Sequence, residues 1–307
     1  DVSGQSSVGG VVGSMDNSTV SDCKVSDSNN KVSINADYTV GGIVGNMGNN
    51  STVKNCENSV GTLIKAKNNA GGIAGSMDSS KIEDSKNSGK VSCSGDLVGG
   101  IAGDLYNNCT IDKSNNFGDV SGNDSIGGIA GFMQDSNIQG SKNSGNVSGN
   151  DYVGGIVGSA YENITIAENT NSATLISGNN YVGGIIGLYL ELPPFASTVS
   201  IKSNDSTSTI KATGTNSSDV GSNGSFNPSM KFVQSAPCSQ KAAWQVVTAP
   251  SYGKEGKEMI NCPECGVWYR TIPALLTPPA AATAAATANT NNNTVLTRAD
   301  VIYWLWM

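Results

Sequence analysis

Few residues in this chain could do chemistry. Histidine is absent from all 307 residues, and cysteine occurs seven times. Without imidazole, Ser-His-Asp triads, histidine general bases, histidine zinc sites and histidine-ligated haem are excluded. Cys262-Pro263-Glu264-Cys265-Gly266 has the spacing of half a zinc knuckle, with Cys238 as a third thiolate. Zinc takes four ligands, whereas a structural or disulfide-bonded set needs no fourth. Redox catalysis would need a thioredoxin-like βαβ setting, which the sequence lacks. Cys238, Cys262 and Cys265 therefore stay open as free, disulfide-bonded or metal-bound.

Asp96, Asp124 and Asp151 recur two residues before a glycine-bearing hexapeptide. Stacked carboxylates would repel, and a cation such as calcium would neutralise them. An Asx turn on a solvated edge needs no metal, and Asn180 takes the same place in the next unit. The turn is the expected reading. No catalytic, cofactor-binding or metal residue is assigned.

The elements that carry these residues are repeats. Val8-Gly9-Gly10-Val11-Val12-Gly13 returns as VGGIVG at 40–45, AGGIAG at 70–75, VGGIAG at 98–103, IGGIAG at 126–131, VGGIVG at 153–158 and VGGIIG at 182–187, a mean spacing of 29 residues. An aliphatic residue follows each hexapeptide, then a small polar residue three positions on, then Asn two later. Examples are Val53, Cys56, Asn58; Ile82, Ser85, Asn87; Ile111, Ser114, Asn116; Ile138, Ser141, Asn143; and Ile166, Asn169, Asn171. A third apolar position lies nine residues beyond the aliphatic one, at Val91, Val120, Val147, Leu175 and Ile210. Three short strands with Gly/Asn/Ser turns fit each unit. None can bury its inner face alone, but stacking in register does so at about 4.8 Å per coil. Glycine, 38 of 307 residues, argues against helix, as does the absence of a 3.6-residue apolar period.

The expectation is an all-β chain: a β-solenoid of seven to eight coils over residues 1–224, roughly 35 Å long. Propeller blades need longer repeats. The glycine pairs serve sharp corners or close backbone approach rather than phosphate binding, since no helix follows them. Asn58, Asn87, Asn116, Asn143 and Asn171 should stack as an amide ladder. Cys23 and Cys56 should be neighbours on adjacent coils, as a buried thiol stack or a disulfide.

The hexapeptide, the turn and the T-[IV]-x-[ND]-[CS]-x-[NA]-x-G-x-V-S-G run resemble the GLUG repeat. Residues 98–131 carry the pattern almost throughout, and the resemblance extends over about 220 residues. It departs in the longer first repeat and at Glu191-Leu192-Pro193-Pro194-Phe195. Such repeats occur in bacterial surface or secreted proteins, including adhesin-like proteins and non-catalytic regions of IgA-specific metallopeptidases. The resemblance implies surface exposure and a binding or spacer role. Residues 1–8 align with 119–126, so the chain is expected to begin inside a repeat, with a further coil before it.

Composition changes near residue 225. Residues 225–276 resemble the small Cys-containing β repeats of surface proteins from gut Gram-positive bacteria, with Tyr252 where the first Cys usually stands. Residues 277–294 read as a Pro/Ala/Thr/Asn-rich linker. Residues 295–307 turn amphipathic, with Thr297 as N-cap and Asp300 three residues on. This segment resembles the opening helix of an S-layer homology module, with Asp300 where Glu is usual. That resemblance implies non-covalent attachment to a cell-wall polymer. Thirteen residues cannot span a membrane.

Function follows as an expectation. Lys and Arg number 18 against 25 Asp and Glu, a net charge of −7, so no basic field exists for nucleic acid. A non-enzymatic stalk or adhesin on a Gram-positive surface is expected, binding a host or cell-wall glycan or a surface protein through its polar faces. The alternative is the non-catalytic repeat region of a larger secreted peptidase or glycan-active enzyme. A β-helical lyase or hydrolase would need irregularly placed convergent acids, whereas these acids sit at repeat-equivalent turns.

Overall fold

A computed structural model describes residues 1–26, 32–59, 61–190, 199–213, 245–248, 256–262 and 266–272. The chain divides into two compact units, Asp1–Ser239 and Gln240–Met307. The first is a parallel β-solenoid. Its five sheets each take one strand per coil, seven strands deep in four sheets and eight in the fifth. Coils are counted here by their hexapeptides.

Each coil holds five short strands rather than the three expected. The second coil runs Ser33–Asn35, Tyr38–Gly41, Val44–Gly48, Thr52–Lys54 and Glu57–Asn58. The difference arises at corners. The hexapeptide is not one strand, because its Gly-Gly turns the chain between two sheets. The aliphatic and Asn positions also sit on separate strands, divided by a left-handed residue such as Asn55 (φ 57°) or Asp84 (φ 46°). Another left-handed residue precedes every hexapeptide: Ser7, Thr39, Asn69, Leu97, Ser125, Tyr152 and Tyr181, with φ from 53° to 60°. Of these seven only Asn69 is of the Asn or Asp type that favours this region, so the stacked coils impose the geometry.

The glycines answer to close approach. A Cβ on Gly41 would meet the Ile73 carbonyl oxygen at 2.7 Å, and one on Gly42 would meet the Asn58 amide at 2.8 Å. The second glycine of the second to sixth hexapeptides thus makes room for the Asn that follows it, and Gly10 and Gly184 face Val25 and Ser206 in the same way.

The core is a set of one-residue columns. Ile34, Ile64, Val91, Val120, Val147 and Ile176 stack in one sheet and are buried. Val53, Ile82, Ile111, Ile138 and Ile166 stack in another. In the seventh coil Ile176, not Leu175, fills the inner place. The step from the ladder Asn to the next core aliphatic is five residues there (Asn171 to Ile176) against four in the coil before (Asn143 to Val147). A third column passes through Met15, Met47, Met77, Leu105, Met133, Ala160 and Tyr189. Ala160 beside Tyr189 pairs a small side chain with the largest buried one.

In the second unit, Gln245–Thr248, Gly256–Cys262 and Gly266–Ile272 form a three-stranded antiparallel sheet. Cys238, Cys265 and the Cys262 side chain lie outside the described residues, as do residues 277–294, expected to be a linker, and residues 295–307, expected to open a helix. No helix among the described residues is long and apolar enough to cross a membrane.

Candidate functional site

Most polar side chains of the solenoid are committed to holding one coil to the next. The amide ladder runs Asn58 Nδ2 to Asn87 Oδ1 (2.7 Å), Asn87 to Asn116 (2.8 Å), Asn116 to Asn143 (2.8 Å) and Asn143 to Asn171 (3.0 Å). All five are fully buried. Val25 takes the Asn place in the first coil, and Asn58 Oδ1, facing it, has no partner.

The small-polar column is also wired. The Cys56, Ser85 and Ser114 N–H groups donate to the Ser85, Ser114 and Ser141 hydroxyls at 3.1–3.2 Å. A second column, Ser80, Cys109 and Ser136, repeats this pattern and was missed in the sequence. Its signal was a small residue two positions before Val53, Ile82, Ile111 and Ile138, which lapses at Ile164 before Ile166. Cys23 and Cys56 are adjacent as expected, with their sulfurs 2.6 Å apart.

The aspartates are spent likewise. Asp96 Oδ1 accepts from Asn123 Nδ2 (3.0 Å) and the Asp124 N–H (3.1 Å). Asp124 Oδ1 accepts from Asn150 and the Asp151 N–H, and Asp151 Oδ1 from Asn180. Burial raises the Asp124 pKa, as do Asp96 and Asp151 on either side, while those hydrogen bonds oppose the rise. Asp22, Asp78 and Asp135 each accept from an Asn one coil along, at Asn55, Asn107 and Asn163. The Asp recurrence is therefore an Asp–Asn lacing of the coil corners. Among the described residues, no group of three or more Cys, Asp or Glu could hold a metal ion. Charged pairs add to the lacing: Glu57 lies 3.1 Å from both Lys24 and Lys86, and Glu83, beside Lys81 on its own strand, reaches Lys54 one coil away.

One outer face departs from this economy. Along the third strand, residues flanking the inward Leu105, Met133 and Ala160 point outward. There Tyr106, Phe132 and Tyr161 form a file, with ring centroids 5.2 Å apart at each step. Beside them Tyr152 and Tyr181 stack at 5.4 Å. All five rings are half-buried, leaving edges and faces to solvent. Burial raises the phenol pKa values of Tyr106, Tyr152 and Tyr161, with Tyr106 reaching about 12 as the Asp104 charge adds to the effect.

Asp104 underlies this face at 3% exposure. Its Oδ2 accepts from Asn69 Nδ2 at 2.5 Å, and Oδ1 has no partner. Burial pushes its pKa up to about 6, against the pull of the Ser76 hydroxyl and the Met77 N–H. These aromatic positions are silent in the repeat pattern. Equivalent places hold Ser76 and Ser159 in line with Phe132, and Asp78 in line with Tyr106.

Chemically, the face offers rigid rings with phenol groups and no convergent pair of free carboxylates. Such a face can stack against a flat partner and hydrogen-bond through its phenol groups. The chain matches no protein-family model, no curated protein and no solved structure.

Proposed function

We propose that this chain is a non-enzymatic cell-surface stalk or adhesin segment, binding a glycan through the ring-lined face of its fourth to seventh coils. The aromatic file Tyr106–Phe132–Tyr161, flanked by Tyr152–Tyr181, carries this reading. Tyrosine and phenylalanine supply large rigid contact area at low entropic cost, and the phenol groups add hydrogen bonding. A stacked backbone fixes the rings before the ligand arrives, so little ordering is lost on binding. Repeated weak contacts along one rod sum by multivalency. The GLUG-like repeats favour a surface location, and the S-layer-like C-terminal segment favours attachment to a cell-wall polymer on that side.

The test is a glycan array probed with the whole chain, followed by calorimetry and a product assay on any hit. Binding without cleavage, weakened tenfold or more in Phe132→Ala, is the expected result. Cleavage of a bound glycan would assign an enzyme instead. Binding only to surface proteins through the same rings would change the ligand class. No binding at all would leave a spacer.

A further inference from the structure

We propose that Cys23 and Cys56 are an oxidative cross-link site, forming a disulfide that staples the first coil to the second. The inference does not depend on the glycan-binding reading.

Geometry carries it. Lys24 pairs with Glu57 and Val25 with Asn58 in parallel register, which places Cys23 directly across from Cys56. The Glu57 N–H donates to the Cys23 carbonyl at 2.8 Å, fixing the backbones on either side of the two thiols. In-register residues on neighbouring parallel strands have Cα atoms about 4.8 Å apart. That lies within the roughly 4.4–6.8 Å span that disulfides accept. The sulfurs already face each other at 2.6 Å, well inside the separation of two unbonded sulfur atoms. The other described cysteines have no such neighbour: Cys109 lies against the Tyr106 carbonyl oxygen at 3.0 Å, and Cys93 stands on the first sheet.

The column also explains the choice of residue. Later coils hold Ser85, Ser114 and Ser141 there, and each hydroxyl serves the preceding coil's N–H. Only the first two coils hold thiols. There the amide ladder has ended at Asn58, with Val25 opposite, while Asn55–Asp22 and Lys24–Glu57 still lace coil one to coil two. The cross-link would take over at the point where the amide ladder stops.

The chemistry balances with a disulfide oxidant, either a small molecule or a protein. The Cys23 thiolate, on the more exposed side chain, attacks one sulfur of the oxidant. A mixed disulfide forms and one thiol leaves. The Cys56 thiolate then attacks the Cys23 sulfur and releases the second thiol. Two cysteine protons are lost, and the oxidant is reduced to two thiols. Burial, together with the neighbouring Cys56, holds the Cys23 thiol up at about 12. The first step is therefore slow at neutral pH and gains close to tenfold per pH unit.

The test uses the full chain equilibrated with oxidised glutathione, trapped with N-ethylmaleimide and mapped by mass spectrometry. A linked peptide containing Cys23 and Cys56 is expected, two hydrogens lighter than the reduced pair. Reduction should then speed proteolysis of the first coil on the order of a hundredfold, from the ring that the bond closes. Cys23→Ser should cleave at the reduced rate under both conditions, its hydroxyl filling the column as Ser85 does. Alkylation of both residues after oxidation, or linkage of either to a different cysteine, would overturn the proposal. So would an identical proteolysis rate in oxidised and reduced wild type.

Discussion

Replacing Asn116 by Ala tests whether the amide ladder holds the coils together. Asn116 makes four hydrogen bonds. It accepts from Asn87 Nδ2 (2.8 Å) and the Gly118 N–H (3.3 Å), and donates to the Gly118 carbonyl (2.8 Å) and Asn143 Oδ1 (2.8 Å). Truncation strips both Gly118 backbone groups of their side-chain partner. Asn87 keeps its bond to the Gly89 carbonyl, and Asn143 keeps the Gly145 N–H. Two buried groups left unpaired cost about 1–3 kcal/mol each, so the loss is about 2–6 kcal/mol. Asn58→Ala removes a comparable volume but only one ladder bond, to Asn87 Oδ1, which retains the Gly89 N–H. Its polar cost is about 0.5–1.5 kcal/mol. Urea unfolding followed by far-UV circular dichroism measures both. Val53→Ala and Val91→Ala, both buried and in the same two coils, correct for position along the rod. If Asn116→Ala costs no more than Asn58→Ala after that correction, the ladder reasoning is refuted.

Gly100→Ala should be as damaging as the loss of an Asn. Its Cβ would strike the Gly128 carbonyl oxygen and the Asn116 side chain, a clash expected to cost roughly 1–3 kcal/mol or more in the same urea assay. Asp104→Asn should stabilise the fold above pH 6. The Asp104 pKa is raised in the folded state to about 6 from 3.8, so its protonated form favours folding. That contribution is fully present below about pH 4 and is lost as pH rises through about 6. The variant should therefore gain on the order of 1–3 kcal/mol at pH 8 and little at pH 3.5, read as the melting temperature against pH. Phe132→Ala should lose ring contacts on both sides, to Tyr106 and Tyr161, and quench any ligand-induced change in tyrosine fluorescence.

The solenoid was legible because its inner columns repeat. A residue that must touch its own counterpart one coil away leaves a periodic trace, and Asn58 to Asn171 or Ile82 to Ile166 supply it. The strand count was misjudged because corners made by left-handed Leu97, Ser125 or Tyr152 carry no common residue type. Their conformation comes from stacking, not from local preference. The Met15–Tyr189 column escaped notice because Met, Leu, Ala and Tyr share only apolar character. Leu175 was placed inward because its spacing from Ile166 fitted, whereas one extra residue after Asn171 moves Ile176 into the core. The Asp recurrence was visible, but its partner was not: the accepting bond reaches an Asn one coil on, which a single unit cannot display.

The aromatic face was illegible for a different reason, and that reason bears on what it does. An inner column is constrained at every coil, so each place is filled by a similar residue. An outer column carries no such demand, and here it holds Ser14, Asn46, Ser76, Asp104, Phe132, Ser159 and Leu188 in register. The corner position beside it changes equally freely, from Ser7 to Tyr181. Yet five rings from these and the adjoining outer positions converge on four consecutive coils. Stacking alone does not require them, since Ser76 and Ser159 occupy the same file without loss of register. Half-exposed rings also leave apolar surface in water, which favours covering it. A repeat protein's function is best sought where its sequence departs from the repeat without an internal need, and on this rod that place is the strip from Tyr106 to Tyr181.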